Sequence, residues 1–280
     1  MMDPTLVYRT LRQLSQWTIS GFYSDVHIEG ANNVPKDGPL ILASTHHNEI
    51  IDIAVLAITI PHRRPISFWT KSSLFEFPLA GAILSSSGAI PVTRNHSPTS
   101  LFKSTSLALH RGEAIGVFPE GTSYTQPRIM QVKPGAVRAG VEFGKGVVVV
   151  PVAIVYTDKS RYRSRVLVRY GSPIHILPNQ TQDAEIDQAQ VKNLTLQLES
   201  QLVSMSVNAP DWDTLNAAKS ARDILWDDSD AQGEVPLCDW VEVMQMFTFA
   251  FPFPCASLRF GTYTQTTTQI LIITNNSTDS

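Results

Sequence analysis

The segment Thr45-His46-His47-Asn48-Glu49-Ile50-Ile51-Asp52 sets a histidine, His47, five positions ahead of an aspartate, Asp52, at the junction of two apolar runs. Imidazole is the side chain best suited to taking a proton near neutral pH. A carboxylate held against its other ring nitrogen fixes the tautomer and stabilises the imidazolium that forms. The pair therefore reads as a general base, His47, with an orienting partner, Asp52. No nucleophilic serine or cysteine stands in a matching motif nearby. The proton would then come from a substrate, most simply a hydroxyl. Alone, such a pair would sooner cap a helix than catalyse, so the rest of the chain has to decide between the two.

Three later segments bear on that choice. Gly88-Ala89-Ile90-Pro91-Val92-Thr93-Arg94 ends a short apolar stretch on Arg94. Phe118-Pro119-Glu120-Gly121-Thr122-Ser123 puts a carboxylate, a glycine and two hydroxyls straight after another apolar stretch. Residues 146–156, GVVVVPVAIVY, read as a buried strand carrying Pro151. A proline there must sit at a strand start, a bulge or an edge, because it cannot donate to the ladder. Each segment taken singly is bland: a surface charge, a turn, a strand bend. Four of them in this order, at strand ends, are hard to assign to accident.

That ordered set resembles the phospholipid and glycerol acyltransferase family, whose blocks read His-x4-Asp, an apolar stretch ending in Arg, Phe-Pro-Glu-Gly-Thr, and an apolar strand with Pro. The likeness runs from about residue 8 to residue 226, and the third block is intact. One position departs. The residue before the family histidine is often Asn or Ser, and here it is His46, which leaves two candidate bases; only His47 has the family spacing to Asp52. The run Asp211-Trp212-Asp213-Thr214-Leu215 to Ala221-Arg222 is similar to the branch that acylates glycerol-3-phosphate or dihydroxyacetone phosphate.

The resemblance implies a mechanism and a set of roles. His47 would remove a proton from a glycerol-type hydroxyl, which attacks an acyl thioester, with Asp52 orienting the ring. Arg94, and then Lys133, would grip an acceptor phosphate. Glu120 would bind an acceptor hydroxyl or hold Arg94. Backbone N–H groups over Glu120, Gly121 and Thr122 would meet the oxyanion. The strand around Pro151 would wall the acyl groove. Acyl-coenzyme A is implied as co-substrate, with no cofactor and no metal, and a phosphorylated glycerol as acceptor. A membrane lipid surface is the implied partner, with a cytosol-facing place at the endoplasmic reticulum. Two other readings stay open: a lysophospholipid acceptor, or an inactive lipid-binding or regulatory fragment.

The elements that would position these residues follow from pattern. Short apolar runs at 25–29, 40–44, 66–70, 90–93, 114–118, 147–155 and 166–170 read as strands. Helical spacing falls between them, from residue 49, at 100–110 and at 135–143. Alternation of this kind predicts an α/β fold, a mixed and largely parallel sheet flanked by helices. Ligands of such sheets gather at strand ends, where the histidine, arginine and glutamate blocks all stand. Residues 184–207 and 211–226 read as two helices parted by Pro210. Residues 4–21 read as an amphipathic N-terminal helix, with Val7, Leu11, Leu14 and Trp17 at three- to four-residue intervals and Arg9 and Arg12 between them. It is expected to pack on the core or to lie in a lipid interface, apolar face down.

Three units result: residues 1–21 as a candidate membrane-interface helix, 22–226 as the catalytic domain, and 227–280 as an irregular or disordered tail. The tail assignment rests on Asp227-Asp228-Ser229-Asp230 and on a Thr-, Phe- and Asn-rich end without a period.

Bulk properties narrow the partners. Charged residues make up 17% of the 280, below the roughly 25% of an average soluble domain, as suits a chain that spends apolar surface on lipid. A net charge of −3 with no basic block argues against nucleic acid. Two cysteines, Cys238 and Cys255, give no metal spacing. Gly140 to Gly146 lacks the glycine spacing of a phosphate loop and precedes a strand instead of following one. Neither a Gly-x-Ser-x-Gly elbow nor a signal peptide is visible, and no stretch reaches the roughly 18 apolar residues of a spanning helix, so membrane contact is expected to be peripheral.

Overall fold

The computed structural model describes residues 4–92, 99–178, 187–226 and 235–250. Its centre is an eight-stranded sheet in the order β1-β7-β6-β2-β5-β3-β4, with β8 paired to β6. The strands are β1 (Asp25–Glu29), β2 (Leu40–Ser44), β3 (Ile66–Lys71), β4 (Ile90–Val92), β5 (Ala114–Val117), β6 (Val147–Tyr156), β7 (Arg165–Tyr170) and β8 (Ile174–Ile176). Pairing is parallel except where β6 meets β7 and β8. The expected mixed, largely parallel α/β sheet is the fold found, and β8 is the strand that the pattern missed.

The run lengths explain which strands are central. Every residue of β2 and β5 is buried, as unbroken apolar runs require when both faces are covered. Alternate side chains face opposite ways. Leu40, Leu42, Val152 and Ile154 pack with Ile19, Val55 and Leu56, which belong to α1 (Pro4–Phe22) and α2 (Glu49–Thr59). Ile41, Ile115 and Val149 pack on the other face with Leu109, Val137 and Leu198, from α4 (Thr99–His110), α5 (Gly135–Phe143) and α6 (Gln188–Ser204). In chain order α3 (Pro78–Ser86) comes between α2 and α4 and begins at a proline, which suits a first helical turn.

Pro151 sits inside this sheet, opposite Ala43 of β2. Its carbonyl accepts the N–H of Gly171 at 2.8 Å, so its own missing N–H faces the gap where β6 leaves β8 and takes up β7. No ladder bond is lost, which is how a proline survives in a central strand.

The two ends are more definite in the structure than in the sequence. The N-terminal helix α1 is docked: Ile19 is fully buried, the Tyr8 hydroxyl accepts the Ile66 N–H at 3.2 Å, and Arg12 donates from Nε to the Ala57 carbonyl at 2.9 Å. Arg12 thus caps the end of α2 instead of facing outward. The expected apolar face divides, with Val7 and Leu11 half-buried and Leu14 and Trp17 exposed beside Leu6. The expected tail also divides. Residues 227–234 and 251–280 lie outside the described residues, but Trp240–Ala250 form helix α8. Trp240, Val241, Met244 and Phe247 are buried against Ala153, Val155, Leu167 and Ala218, the last from α7 (Trp212–Leu225). Their spacing of one, four and seven is a helical apolar face, overlooked beside the irregular composition that follows.

Candidate active site

The chain leaves β2 at Ser44 and enters α2 at Glu49, so the histidines stand on the connection at a strand end. Glu49 takes a positive φ of 45° to turn the chain so tightly. Asp52 lies in the first turn of α2, where free backbone N–H groups and the helix dipole favour an anion. Its side chain is fully buried. Oδ2 accepts the N–H groups of His47 at 2.9 Å and Asn48 at 2.7 Å. The same oxygen lies 2.8 Å from Nδ1 of His46, and Oδ1 accepts the hydroxyl of Tyr156 at 2.6 Å. Four donors satisfy the carboxylate completely.

The orienting contact expected for His47 is therefore made by His46. The physical reason is the turn itself: the His47 and Asn48 N–H groups fold onto Asp52, which leaves the His46 ring facing the carboxylate and turns the His47 ring away. Nδ1 of His47 lies 3.4 Å from the Tyr124 carbonyl instead. With Nδ1 of His46 donating to Asp52, the lone pair is on Nε2, which has no hydrogen-bond partner among the described residues. The His46 ring stacks on Phe118, centroids 4.0 Å apart, and its side chain is 15% exposed. It is fixed in orientation and open at one nitrogen.

The Phe-Pro-Glu-Gly-Thr block braces this histidine. Glu120 is buried, and its Oε1 accepts the His46 N–H at 2.8 Å while Oε2 accepts the Met130 N–H at 3.2 Å. Both oxygens are spent on backbone, so among the described residues the carboxylate neither faces a cleft nor holds an arginine. The Tyr124 N–H donates to the His46 carbonyl at 3.2 Å, which clamps the residue from both sides. Gly121 has a φ of 81° in a turn whose N–H donates to Phe118 at 3.0 Å, a conformation that suits glycine. The ammonium of Lys133 lies against it. Thr122 is half-buried, and its N–H is unpaired among the described residues.

Arg94 falls outside the described residues. The strand before it, β4, runs parallel to β3, and β3 to β5 and β5 to β2. All four end at the edge where His46 stands. Pro151 is set in the sheet, and the end of its strand reaches a cavity. Ile154, Val155 and Tyr156 wall a cavity of about 270 Å³ that also touches His47 and Tyr124.

Two tyrosines belong to the site and were not anticipated. Burial pushes the Tyr156 phenol well above its ordinary pKa, and the Asp52 charge pushes the same way. Tyr23 is raised to about 12, first by burial and then by Asp52. The Asn48 amide donates to its hydroxyl at 3.1 Å. Both phenols stay protonated at neutral pH and act as donors or spacers around the carboxylate. The signal for Tyr156 was present, as the one polar tip closing a ten-residue apolar strand. Nothing local marked Tyr23, which arrives from the end of α1.

Comparison with known proteins bears on the family and the fold. Residues 25–155 match the family model described as Acyltransferase. The chain is 26% identical over 220 residues to glycerol-3-phosphate O-acyltransferase 2 of Saccharomyces cerevisiae, covering 76% of this chain and 28% of that one. It is 28% identical over 154 residues to the 1-acyl-sn-glycerol-3-phosphate acyltransferase of Bacillus subtilis, covering 54% of this chain and 74% of that one. The chain thus spans little more than a quarter of the yeast relative's length. The fold is similar to that of the 1-acyl-sn-glycerophosphate acyltransferase PlsC from Thermotoga maritima, with a TM-score of 0.55 and 19% identity over 72% of this chain and 79% of that one. Block order and family model coincide on one stretch, residues 25–155, which is similar in sequence to the Acyltransferase family.

Proposed function

We propose that this chain transfers an acyl group from a thioester donor, acyl-coenzyme A, to a hydroxyl of glycerol-3-phosphate or dihydroxyacetone phosphate. The observation that carries the reading is the His46–Asp52 pair at 2.8 Å, with Nε2 of His46 unpartnered. In this reading Nε2 takes the proton of the acceptor hydroxyl as its oxygen bonds to the thioester carbonyl carbon. Asp52 stabilises the imidazolium without taking the proton itself. The tetrahedral oxyanion needs donors already in place, and the unpaired Thr122 N–H is a candidate. Collapse breaks the carbon–sulfur bond, and the imidazolium returns its proton to the leaving thiolate. Arg94 and Lys133 are proposed to hold the acceptor phosphate, for which guanidinium is suited by its paired donors.

A 1-acylglycerol-3-phosphate acceptor is the second reading, supported by the names of the bacterial relatives. Membrane association is proposed through the exposed strip of α1, where Leu6 and Trp17 are 62% and 65% exposed, at the cytosolic face of the endoplasmic reticulum. No helix among the described residues is long and apolar enough to cross a membrane. The test is labelled acyl-coenzyme A with glycerol-3-phosphate, dihydroxyacetone phosphate and 1-acylglycerol-3-phosphate in parallel. Label should pass into the lipid product of one of the first two faster than the third. Faster use of the acylated acceptor would favour the second reading, and no transfer to any of them would refute the proposal.

A further inference from the structure

Beyond Tyr156 the chain forms a hairpin, residues 157–164, before returning as β7. This hairpin overhangs the strand end that bears the histidines: the Lys159 ammonium donates to the His47 carbonyl at 2.9 Å and to the Thr125 hydroxyl at 2.6 Å. The cavity beside His47 and Tyr156 runs outward from there between the hairpin and helices α7 and α8. Its walls are largely apolar, with Val207, Leu215 and Met244 among them. A second cavity of about 250 Å³ adjoins it, the two sharing Thr157, Asp158, Lys219 and Trp240 as walls.

The second cavity is strongly basic. Five basic side chains and two carboxylates line it, in a chain whose formal charge is −3. Arg161 and Arg163 come from the hairpin, and Lys219 and Arg222 from α7. Arg161 and Arg163 have no side-chain partner among the described residues, and both are exposed. Arg222 lies over the Trp240 ring at 4.7 Å and beside Asp223. Trp226 stands at the same rim. Cations converging on a concave site with one half-buried indole, Trp226, at its rim suit a polyphosphate joined to a planar base.

We infer that these adjoining cavities hold the acyl donor, with its nucleotide end in the basic one. The site would take a coenzyme A thioester, with its phosphates on the basic outer cavity and its pantetheine arm along the apolar passage toward His47 and Tyr156. The inference rests on the acyltransferase reading and adds to it a place for the donor's nucleotide, on segments that lie outside residues 25–155. The layout favours donor over acceptor. A glycerol phosphate is small, and its phosphate must sit within a few bonds of the reacting hydroxyl. Of these cations only Lys219 also lines the cavity that touches His47, so a ligand with a long arm is what joins the others to that histidine. The same arm without a nucleotide is found on a phosphopantetheine carrier protein, so the nucleotide is what the test must isolate.

The test compares three donors carrying the same acyl group: acyl-coenzyme A, the acyl thioester of pantetheine, and an acylated carrier protein. The variants are Arg161→Glu and Lys219→Glu, singly and together. Calorimetric binding of coenzyme A, dephospho-coenzyme A and pantetheine to the same proteins is measured without turnover. Charge reversal should raise the KM for acyl-coenzyme A by about tenfold in the double variant and leave kcat, the acceptor KM and the pantetheine thioester KM as they were. Calorimetry should rank coenzyme A above dephospho-coenzyme A and pantetheine, and the variants should remove that ranking. An unchanged KM for acyl-coenzyme A would overturn the inference. So would a raised acceptor KM in its place, equal losses with all three donors, or sole use of the carrier protein. If no donor supports transfer, the proposed function fails, while the calorimetric ranking still decides whether the nucleotide binds here.

Discussion

Two neighbouring histidines offer one orienting carboxylate, and which of them receives it is decided by the backbone. Asp52 uses the N–H groups of His47 and Asn48 to close the turn, and along that path the ring that meets the carboxylate is His46, while the His47 ring lies toward Tyr124. His46→Ala should accordingly cut kcat by about 10²–10⁴-fold, the usual contribution of a general base, and His47→Ala should cost far less. Steady-state rates of the two purified variants, with melting curves to show that both fold, check this; the larger loss in His47→Ala would return the role to that residue. Part of this was legible in advance. The pairing of a histidine with Asp52 could be read from the sequence, but which histidine it was could not, because that depends on the φ of Glu49 and the path of one turn. Glu120 was legible as part of the site but not as its brace, since a carboxylate in a Phe-Pro-Glu-Gly turn reads equally well as pointing outward. Tyr23 gives a pH test at the same scale. Its folded pKa is raised to about 12 from 10.0, so the folded state keeps its proton where the unfolded chain loses it. That stabilisation is complete below pH 10 and is lost as pH rises toward 12. Melting temperature should fall across that window, and Tyr23→Phe should flatten the fall. A wild-type profile level through the window would contradict the assignment.

At the level of elements, the long apolar strands and the helices between them were readable because period and length agree. What was not readable is what each helix packs against. The periodicity of α1 marks an apolar face without naming its partner, and the structure divides that face. Tyr8, Arg12 and Ile19 hold it to the domain, while Leu6, Leu14 and Trp17 are left at the surface. α8 failed for a different reason, since its four buried apolar residues sit beside a stretch with no period and were read together with it. The division of α1 makes two substitutions behave differently. Leu14→Ser with Trp17→Ser removes only exposed apolar surface and should leave the melting temperature within a few degrees, because surface changes are usually within about 0.5 kcal/mol. The same pair should lower co-sedimentation with anionic lipid vesicles, which that strip would otherwise enter. Arg12→Ala should do the reverse, lowering the melting temperature through two lost bonds to the end of α2 at about 0.5–3 kcal/mol, with vesicle binding kept. Unchanged vesicle binding in the serine pair would exclude α1 as the membrane face.

Across the whole molecule, the sheet is assembled out of sequence order, and this sets what can stand alone. The stretch that matches the family ends at residue 155, yet β1 at its start pairs with β7, residues Arg165–Tyr170, and with no other strand among the described residues. β7 lies between β1 and β6, so a chain stopping after β6 has a first strand without a neighbour. All three core clusters draw on later residues: Val166, Val168 and Tyr170 in one, Ile174, Ile176, Leu198 and Leu202 in another, Leu167, Ala218 and Trp240 in the third. Each large buried side chain is worth about 2–5 kcal/mol, against a net stability of roughly 5–15 kcal/mol for a whole domain. The loss from cutting at Tyr156 therefore exceeds what any ordinary domain holds in reserve. A fragment of residues 1–156 should show no cooperative thermal transition and should expose apolar surface to a hydrophobic dye, while residues 1–250 should melt in one transition. Circular dichroism melts of the two fragments make the comparison. A sharp transition in the shorter one, close to that of the longer, would mean that β1 to β6 form a self-sufficient unit. The hairpin, α7 and α8 would then be an appended layer and not part of the fold that sets His46 against Asp52.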